Sequence, residues 1–186
     1  MKKMLTVILM AALVFMMSGC GSQKETTVVK YDKQKEKQGV FESMETTDID
    51  GNVVNSSVFA DYDLTLVNVW NTGCPPCINE IPELNQLNEN MKDKNVSVKG
   101  LVYELKPGLS DRDLEAVREI LESAGSSYQH LTVSEEMIDS EEIQNITAFP
   151  TTFFVNREGK VVGSVRGARD LTGWTELVEE ILSEMK

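Results

Sequence analysis

Residues 64 to 84 read Leu-Thr-Leu-Val-Asn-Val-Trp-Asn-Thr-Gly-Cys-Pro-Pro-Cys-Ile-Asn-Glu-Ile-Pro-Glu-Leu. Leu64 to Trp70 is a mostly apolar, β-branched run, the pattern of a strand buried on both faces. It stops at Gly73, and Pro75 suits a first helical turn, where its missing N–H leaves no intrahelical bond unmade. From there Ile78, Ile81, Leu84, Leu87 and Met91 recur on one helical face. A strand feeding a helix puts Cys74 at the hand-over and Cys77 three residues on, on the same side of the helix.

The rest of the chain supplies a frame for that unit. Upstream, Phe41 to Thr47 and Val53-Val54 flank the turn pair Asp50-Gly51, a hairpin signal. Downstream, Val96 to Leu105 reads as the next strand. Ser110 can cap a helix whose Leu114, Val117, Leu121 and Ala124 face inward before Gly125 ends it. Tyr128 to Val133 suits a short strand, and Ser134 to Glu142, with five acids, suits a solvated helical face. Thr151 to Val155 and Lys160 to Val165 are strands joined through Asn156-Arg157-Glu158-Gly159. Leu171, Trp174, Leu177, Val178, Ile181, Leu182 and Met185 mark a C-terminal helix. This order describes an α/β domain, a mixed sheet covered by helices, and roughly 146 residues from Phe41 suffice for one core.

The N-terminus has a different composition. Lys2 and Lys3 precede an uncharged apolar run from Leu5 to Met17. At about 1.5 Å per residue its roughly 13 residues cover about 20 Å, short of the roughly 30 Å hydrocarbon core, so a signal sequence fits better than a span. Ser18-Gly19-Cys20 resembles the lipobox of bacterial lipoproteins, which implies residues 1–19 as a lipoprotein signal peptide and acylation of Cys20. The alternative is an ordinary secretory leader with an incidental cysteine. Residues 20–40, with Lys24, Lys30, Lys33, Lys35 and Lys37 and few apolar side chains, read as a flexible tether with a reach of roughly 25 Å. Removing the leader takes two lysines and no acids, so the net charge of −12 becomes −14. That balance argues against nucleic acid as a partner.

Two segments carry a family resemblance: Leu66 to Leu84, around Cys-Pro-Pro-Cys, and Phe149 to Gly159, Phe-Pro-Thr-Thr-Phe-Phe-Val-Asn-Arg-Glu-Gly. Together they resemble the signatures of thioredoxin-fold oxidoreductases, closest to the membrane-anchored TlpA-like and ResA-like branch. The resemblance implies a thioredoxin-like fold over 41–186, a mixed central sheet flanked by helices with an N-terminal β-hairpin extension. It implies thiol-disulfide exchange at the outer face of a bacterial cytoplasmic membrane, with no cofactor. Implied partners are client protein disulfides, with apocytochrome c and an extracellular methionine sulfoxide reductase as candidates, and a CcdA-like or DsbD-like membrane electron donor.

The residues support roles of their own. Cys74 faces a helix N-terminus, whose N–H groups and dipole favour thiolate, so it is the candidate nucleophile. Cys77, within bonding reach, is the candidate resolving cysteine. A structural staple closing so short a loop would add little, and zinc needs ligands that the single His130 and scattered carboxylates do not readily supply. No Pro-x-x-x-Thr-x-x-Cys pattern, the peroxide-reducing arrangement, precedes either cysteine.

Glu80 follows Cys77 by one helical turn. The resemblance assigns it to proton transfer with the thiols, against the reading of a solvent-facing glutamate. Thioredoxins carry a buried aspartate where this chain has Asn68, which cannot titrate. By resemblance Pro82 kinks the active-site helix, and Pro150 is the cis-proline that exposes the Phe149 backbone to an extended substrate. Gly73 departs from the aromatic residue that relatives often have there, so their mode of substrate docking does not carry over. Trp70 reads as core packing beside the site and His130 as a satisfied strand or loop residue. The alternatives are a disulfide oxidant and a Sco-like copper chaperone, for which the cysteine spacing is too short and His130 a weak third ligand.

Overall fold

The computed structural model describes residues 29–30, 39–107 and 110–185; the leader, Cys20 and most of the tether lie outside them. Six strands form one sheet in the order β1-β8-β7-β4-β5-β6, where β1 is Val29–Lys30, β4 Leu64–Trp70, β5 Val96–Val102, β6 His130–Thr132, β7 Thr151–Val155 and β8 Val161–Arg166. β4, β5 and β6 run parallel, while β7 is antiparallel to β4 and β8 to β7. The hairpin β2 (Glu45–Thr47) and β3 (Val53–Asn55) stands apart as a two-stranded sheet and abuts β6 through the Asp48 to Leu131 bridge. The mixed sheet, its flanking helices and the hairpin extension make a thioredoxin-like fold.

Both central strands are buried along their whole length. On β4, Leu64, Leu66 and Trp70 point to one side, against α1 (Pro75–Asn90) and α5 (Leu171–Glu184). Val67 and Val69 point to the other, against the hairpin, Phe41, Phe59 and the short helices α3 (Glu135–Ile138) and α4 (Glu141–Gln144). Among the described residues no helix is long and apolar enough to cross a membrane.

Three expectations shift. The strand expected to reach Leu105 ends at Val102: Tyr103 N–H makes the last ladder bond, to the Trp70 carbonyl at 2.8 Å, and the chain then turns, with Leu105 N–H donating to the Val102 carbonyl at 3.1 Å. The hairpin strand expected from Phe41 begins at Glu45, with Phe41 in a turn that buries its ring against Phe59 and Phe153. Part of the tether is also a strand: Val29 and Lys30 pair with Ser164 and Gly163. They cover the outer side of β8, which an open edge would leave with unpaired backbone groups. Helix α2 (Asp111–Ser123) follows its expected bounds, and Gly125, at φ +63, ends it in the left-handed conformation that a side chain disfavours.

Candidate active site

Cys74 is the N-cap of α1, Pro75 and Pro76 are its first two residues, and Cys77 is the third. The two cysteines form a disulfide with Cα atoms 5.3 Å apart. Cys74 is 8% exposed and Cys77 not at all, so access falls in the expected order, although the outer sulfur is less open than its position at a turn suggests. An N-cap side chain normally collects N–H groups from the second and third helical residues. Here the second is Pro76, which has none, and only Cys77 N–H reaches Cys74 Sγ, at 3.3 Å. In the disulfide, then, one backbone N–H is directed at Cys74 Sγ.

The loop before the disulfide is pinned from β5's end: Glu104 Oε1 accepts from Thr72 N–H at 2.5 Å, and Asn71 Oδ1 accepts from Gly73 N–H at 3.0 Å. Trp70 is fully buried under the same cluster, its indole N–H donating to His130 Nδ1 at 3.3 Å, while His130 Nε2 meets Ser126 Oγ at 2.8 Å. Both ring nitrogens of His130 are thus engaged, and burial brings its pKa down to about 3, so it stays neutral. Gly100 makes room for it, since a Cβ there would lie 2.0 Å from His130 Nδ1.

Glu80 is 2% exposed, not the solvent-facing residue that a helix glutamate usually is. Oε1 accepts from Asn68 Nδ2 at 2.7 Å and Oε2 from the backbone N–H of Arg169 at 3.0 Å. Removal from water pushes its pKa up to about 7, against the pull of those donors, the Trp174 indole and the Arg169 charge. A groove between α1 and α5, bordered by Pro76, Glu83, Arg169 and Glu176, runs beside it. Helix α1 continues through Pro82.

Phe149 packs against the core cluster that holds both cysteines and edge-on against Tyr103, ring centroids 4.9 Å apart. The Phe149–Pro150 peptide is cis. Cys74 and Cys77 belong to one core cluster against which Phe149 packs, Glu80 follows Cys77 on the same helix, Pro150 is next to Phe149 in the chain, and Cys20 lies outside the described residues. The sequence reading missed Asn68 as a hydrogen-bond donor, Thr152 opposite it and the backbone of Arg169. Asn68 and Thr152 face each other across the β4–β7 register, a signal available once those two strands are paired.

Chemically, the arrangement offers a two-electron dithiol–disulfide couple with a titratable carboxyl one helical turn away. The chain matches the Redoxin family model over residues 35–176. It is 24% identical over 170 residues to the thiol-disulfide oxidoreductase ResA of Bacillus thuringiensis subsp. konkukian, covering 89% of this chain and 90% of the relative. To the ResA of Bacillus subtilis it is 30% identical over 103 residues, 54% of this chain and 51% of that one. Among solved structures, the thioredoxin domain of a Bacteroides vulgatus thiol-disulfide oxidoreductase superposes with a TM-score of 0.58 at 26% identity, covering 73% of this chain and 92% of that one. A DsbF homologue from Corynebacterium diphtheriae shares the fold at a TM-score of 0.65 and 14% identity, covering 86% and 96%. With a Cys-x-x-Cys disulfide at the head of a helix packed on the sheet and relatives of one activity along most of its length, the chain belongs to the Redoxin family and is a ResA-like thiol-disulfide oxidoreductase of the thioredoxin superfamily.

Proposed function

We propose that this protein is a lipid-anchored, extracytoplasmic protein disulfide reductase working through Cys74 and Cys77. The observation that carries the direction is the poverty of donors at Cys74. A thiolate stabilised by many N–H groups makes the reduced form stable and the couple oxidising. Pro76 removes the N–H of the second helical residue, leaving Cys77 N–H on the sulfur. Ionised Glu80, one turn below, disfavours a second negative charge. Both effects stabilise the disulfide relative to the dithiol, the poise of a reductant.

The reaction balances as follows. Cys74 thiolate attacks one sulfur of a client disulfide, forming a mixed disulfide and releasing the client's other sulfur as thiolate. Cys77 passes its proton to the Glu80 carboxylate and attacks Cys74, closing the Cys74–Cys77 bond and releasing the second client sulfur. The client gains two electrons and the enzyme loses two. Protonated Glu80 then returns its proton to a leaving thiolate or to solvent through the groove. Regeneration requires a membrane dithiol donor, for which a CcdA-like or DsbD-like carrier is the candidate. Phe149 and Pro150, joined by the cis peptide, are the candidate contacts for the client backbone. Apocytochrome c and an extracellular methionine sulfoxide reductase are candidate clients.

Anchoring rests on the leader and on Cys20, where dual acylation suffices for stable attachment. No observation favours copper binding, because His130 is turned into the core with both nitrogens engaged.

The test has two arms. Equilibration with glutathione should give a potential below roughly −250 mV; a value near roughly −120 mV, that of a strong oxidant, overturns the direction. Cys77→Ser should accumulate a mixed disulfide with a client on non-reducing gels and Cys74→Ser should trap nothing, whereas equal trapping reverses the assignment of the nucleophile. Loss of membrane association in Cys20→Ser checks the anchor.

A further inference from the structure

Asn68 Oδ1 is fully buried and meets no hydrogen-bond partner, although Nδ2 of the same side chain donates twice, to Glu80 Oε1 at 2.7 Å and to Thr152 Oγ1 at 3.0 Å. A buried acceptor left without a donor in so well-packed a place calls for a reason. The two oxygens of Glu80 supply one, because their surroundings differ in kind. Oε2 accepts from the Arg169 backbone N–H, a donor that cannot reverse. Oε1 faces a carboxamide, whose C=O and NH₂ ends are nearly the same size and exchange places by a half-turn. The other member, the Thr152 hydroxyl, can donate as readily as accept.

We propose that Asn68 is a proton-coupled amide switch, presenting Nδ2 to Glu80 when the carboxyl is ionised and Oδ1 when Oε1 carries the proton. In the first arrangement, the one the structure shows, the ionised carboxylate accepts from Asn68 and Arg169. In the second, Oδ1 accepts from Glu80 Oε1–H and from the Thr152 hydroxyl, and Nδ2 takes the place of the unpartnered oxygen. Asn68 makes two hydrogen bonds either way, and Arg169 keeps its bond to Oε2. An aspartate at this position would put a second carboxyl against the first, with no N–H to turn toward it. Asn68 is thus a positioning residue that keeps Glu80 able to hold or release a proton without repacking. The switch rests on the reading of Glu80 as the proton carrier of the dithiol.

Other groups face Glu80 from each neighbouring element. Cys77 lies on its own helix, and Tyr128 precedes β6 with its hydroxyl held neutral by burial. The Arg169 guanidinium lies 5.2 Å over the Trp174 ring in the connection to α5, and Glu83, Asp170, Glu176 and Glu180 border the groove. These groups shift the midpoint of the titration, but none of them is the partner of Oε1.

The test is NMR on the oxidised, isotopically labelled full chain in detergent, following the Glu80 carboxyl carbon and the Asn68 side-chain amide from pH 5 to 9. The proximity signal between the Asn68 amide protons and the Thr152 side chain should be present at pH 9 and lost at pH 5. Its midpoint should coincide with the Glu80 titration, and in Glu80→Gln the Asn68 amide should keep one arrangement at every pH. A Glu80 that titrates while Asn68 keeps its contacts overturns the switch and leaves the proton-carrier reading standing. A Glu80 that does not titrate in this range removes that reading and the switch with it. In kinetics, Asn68→Asp should raise the Glu80-dependent midpoint of client reduction by at least one pH unit, since two facing carboxyls share one proton. An unmoved midpoint counts against the switch.

Discussion

Two carboxylates of this domain are withdrawn from water, Asp48 in the turn of the N-terminal hairpin and Glu80 on the active-site helix, and they titrate in opposite directions. Burial pushes Asp48 up, yet Gln129 Nε2, Asn52 Nδ2 and the backbone N–H groups of Asn52 and Asp50 all point at it and bring it below its ordinary value. Glu80 is drawn down by the Arg169 backbone N–H, Asn68, the Trp174 indole and the Arg169 charge, yet its deeper burial wins. The turn keeps its charge fixed and uses it to hold the hairpin together and against Gln129. The helix under-supplies its acid, which leaves that acid free to change state. Cys74, whose sulfur meets the Cys77 N–H in the disulfide, is likewise sparsely supplied with donors. Donors and depth act together: Asp48 lies shallow in a turn with five hydrogen bonds to its carboxylate, whereas Glu80 sits deep on α1 with fewer.

The largest effect that tests this contrast is on rate. Glu80→Gln should slow client reduction by about 10²-fold and flatten its dependence on pH around 7, while Asp48→Asn changes the rate by less than about twofold. Equal losses in the two variants would break the comparison.

Stability against pH should show the two signs. Glu80 has a folded pKa of about 7 against 4.5 for the free group, so the folded state favours its protonated form and loses stability as pH rises from about 4.5 to about 7. Removing the charge by Glu80→Gln should therefore recover up to about 3 kcal/mol at pH 8 and close to nothing at pH 4.5. Asp48 runs the other way. Its contribution is present above pH 3.8 and is lost as pH falls through its depressed folded value. Asp48→Asn should cost about 1–3 kcal/mol at neutral pH, with the loss fading in acid. Denaturant titrations at several pH values measure both.

A smaller effect should follow from giving Cys74 a donor. Pro76→Ala restores the N–H of the second helical residue. One hydrogen bond to a charged sulfur, about 1.5–3 kcal/mol, corresponds to about 30–60 mV toward a more oxidising potential. A glutathione equilibrium reads this directly, and an unchanged potential would detach Cys74 from the donor series.

The smallest effect belongs to a carboxylate that never leaves water. Asp63, about half exposed, is held below its ordinary value first by hydrogen bonds from Arg157, whose Nε and Nη2 both reach Oδ1. Arg157→Met should cost about 1 kcal/mol or less and should lose even that in high salt.

Periodicity and turn chemistry make most of the frame legible in advance, because burial on one face or two leaves a mark on local sequence. The strand Leu64–Trp70, the helix from Pro75 and the hairpin through Asn156 to Gly159 are readable for that reason. The site is legible where it is local, in Cys74, Cys77 and the turn-spaced Glu80. Contacts between remote segments are not. Asn68 reads as a residue that cannot titrate, whereas its value lies in what it donates across to α1. Arg169 contributes a backbone N–H, which no side-chain motif reports. The proline pair was visible throughout, but its meaning for Cys74 emerges only when the N-cap geometry shows which donors a non-proline sequence would have aimed at the sulfur.

The pairing of Val29 and Lys30 with β8 bears on how far the enzyme ranges. A tether free from Cys20 to Val40 would have a contour of about 70 Å, enough to carry the dithiol well away from an anchoring bilayer. With Val29 fixed to the sheet, only Gly21 to Val28 separate the proposed anchor from the folded body, at most about 30 Å of extended chain. Were Cys20 the anchor, the domain would search a thin shell against the membrane surface, and a dithiol donor in that membrane would meet it at high local concentration. Clients of a protein so anchored would have to come to that surface. Melting two residue pairs would roughly double the radius of that shell, which makes the edge of β8 a length regulator for the leash as well as the border of the sheet.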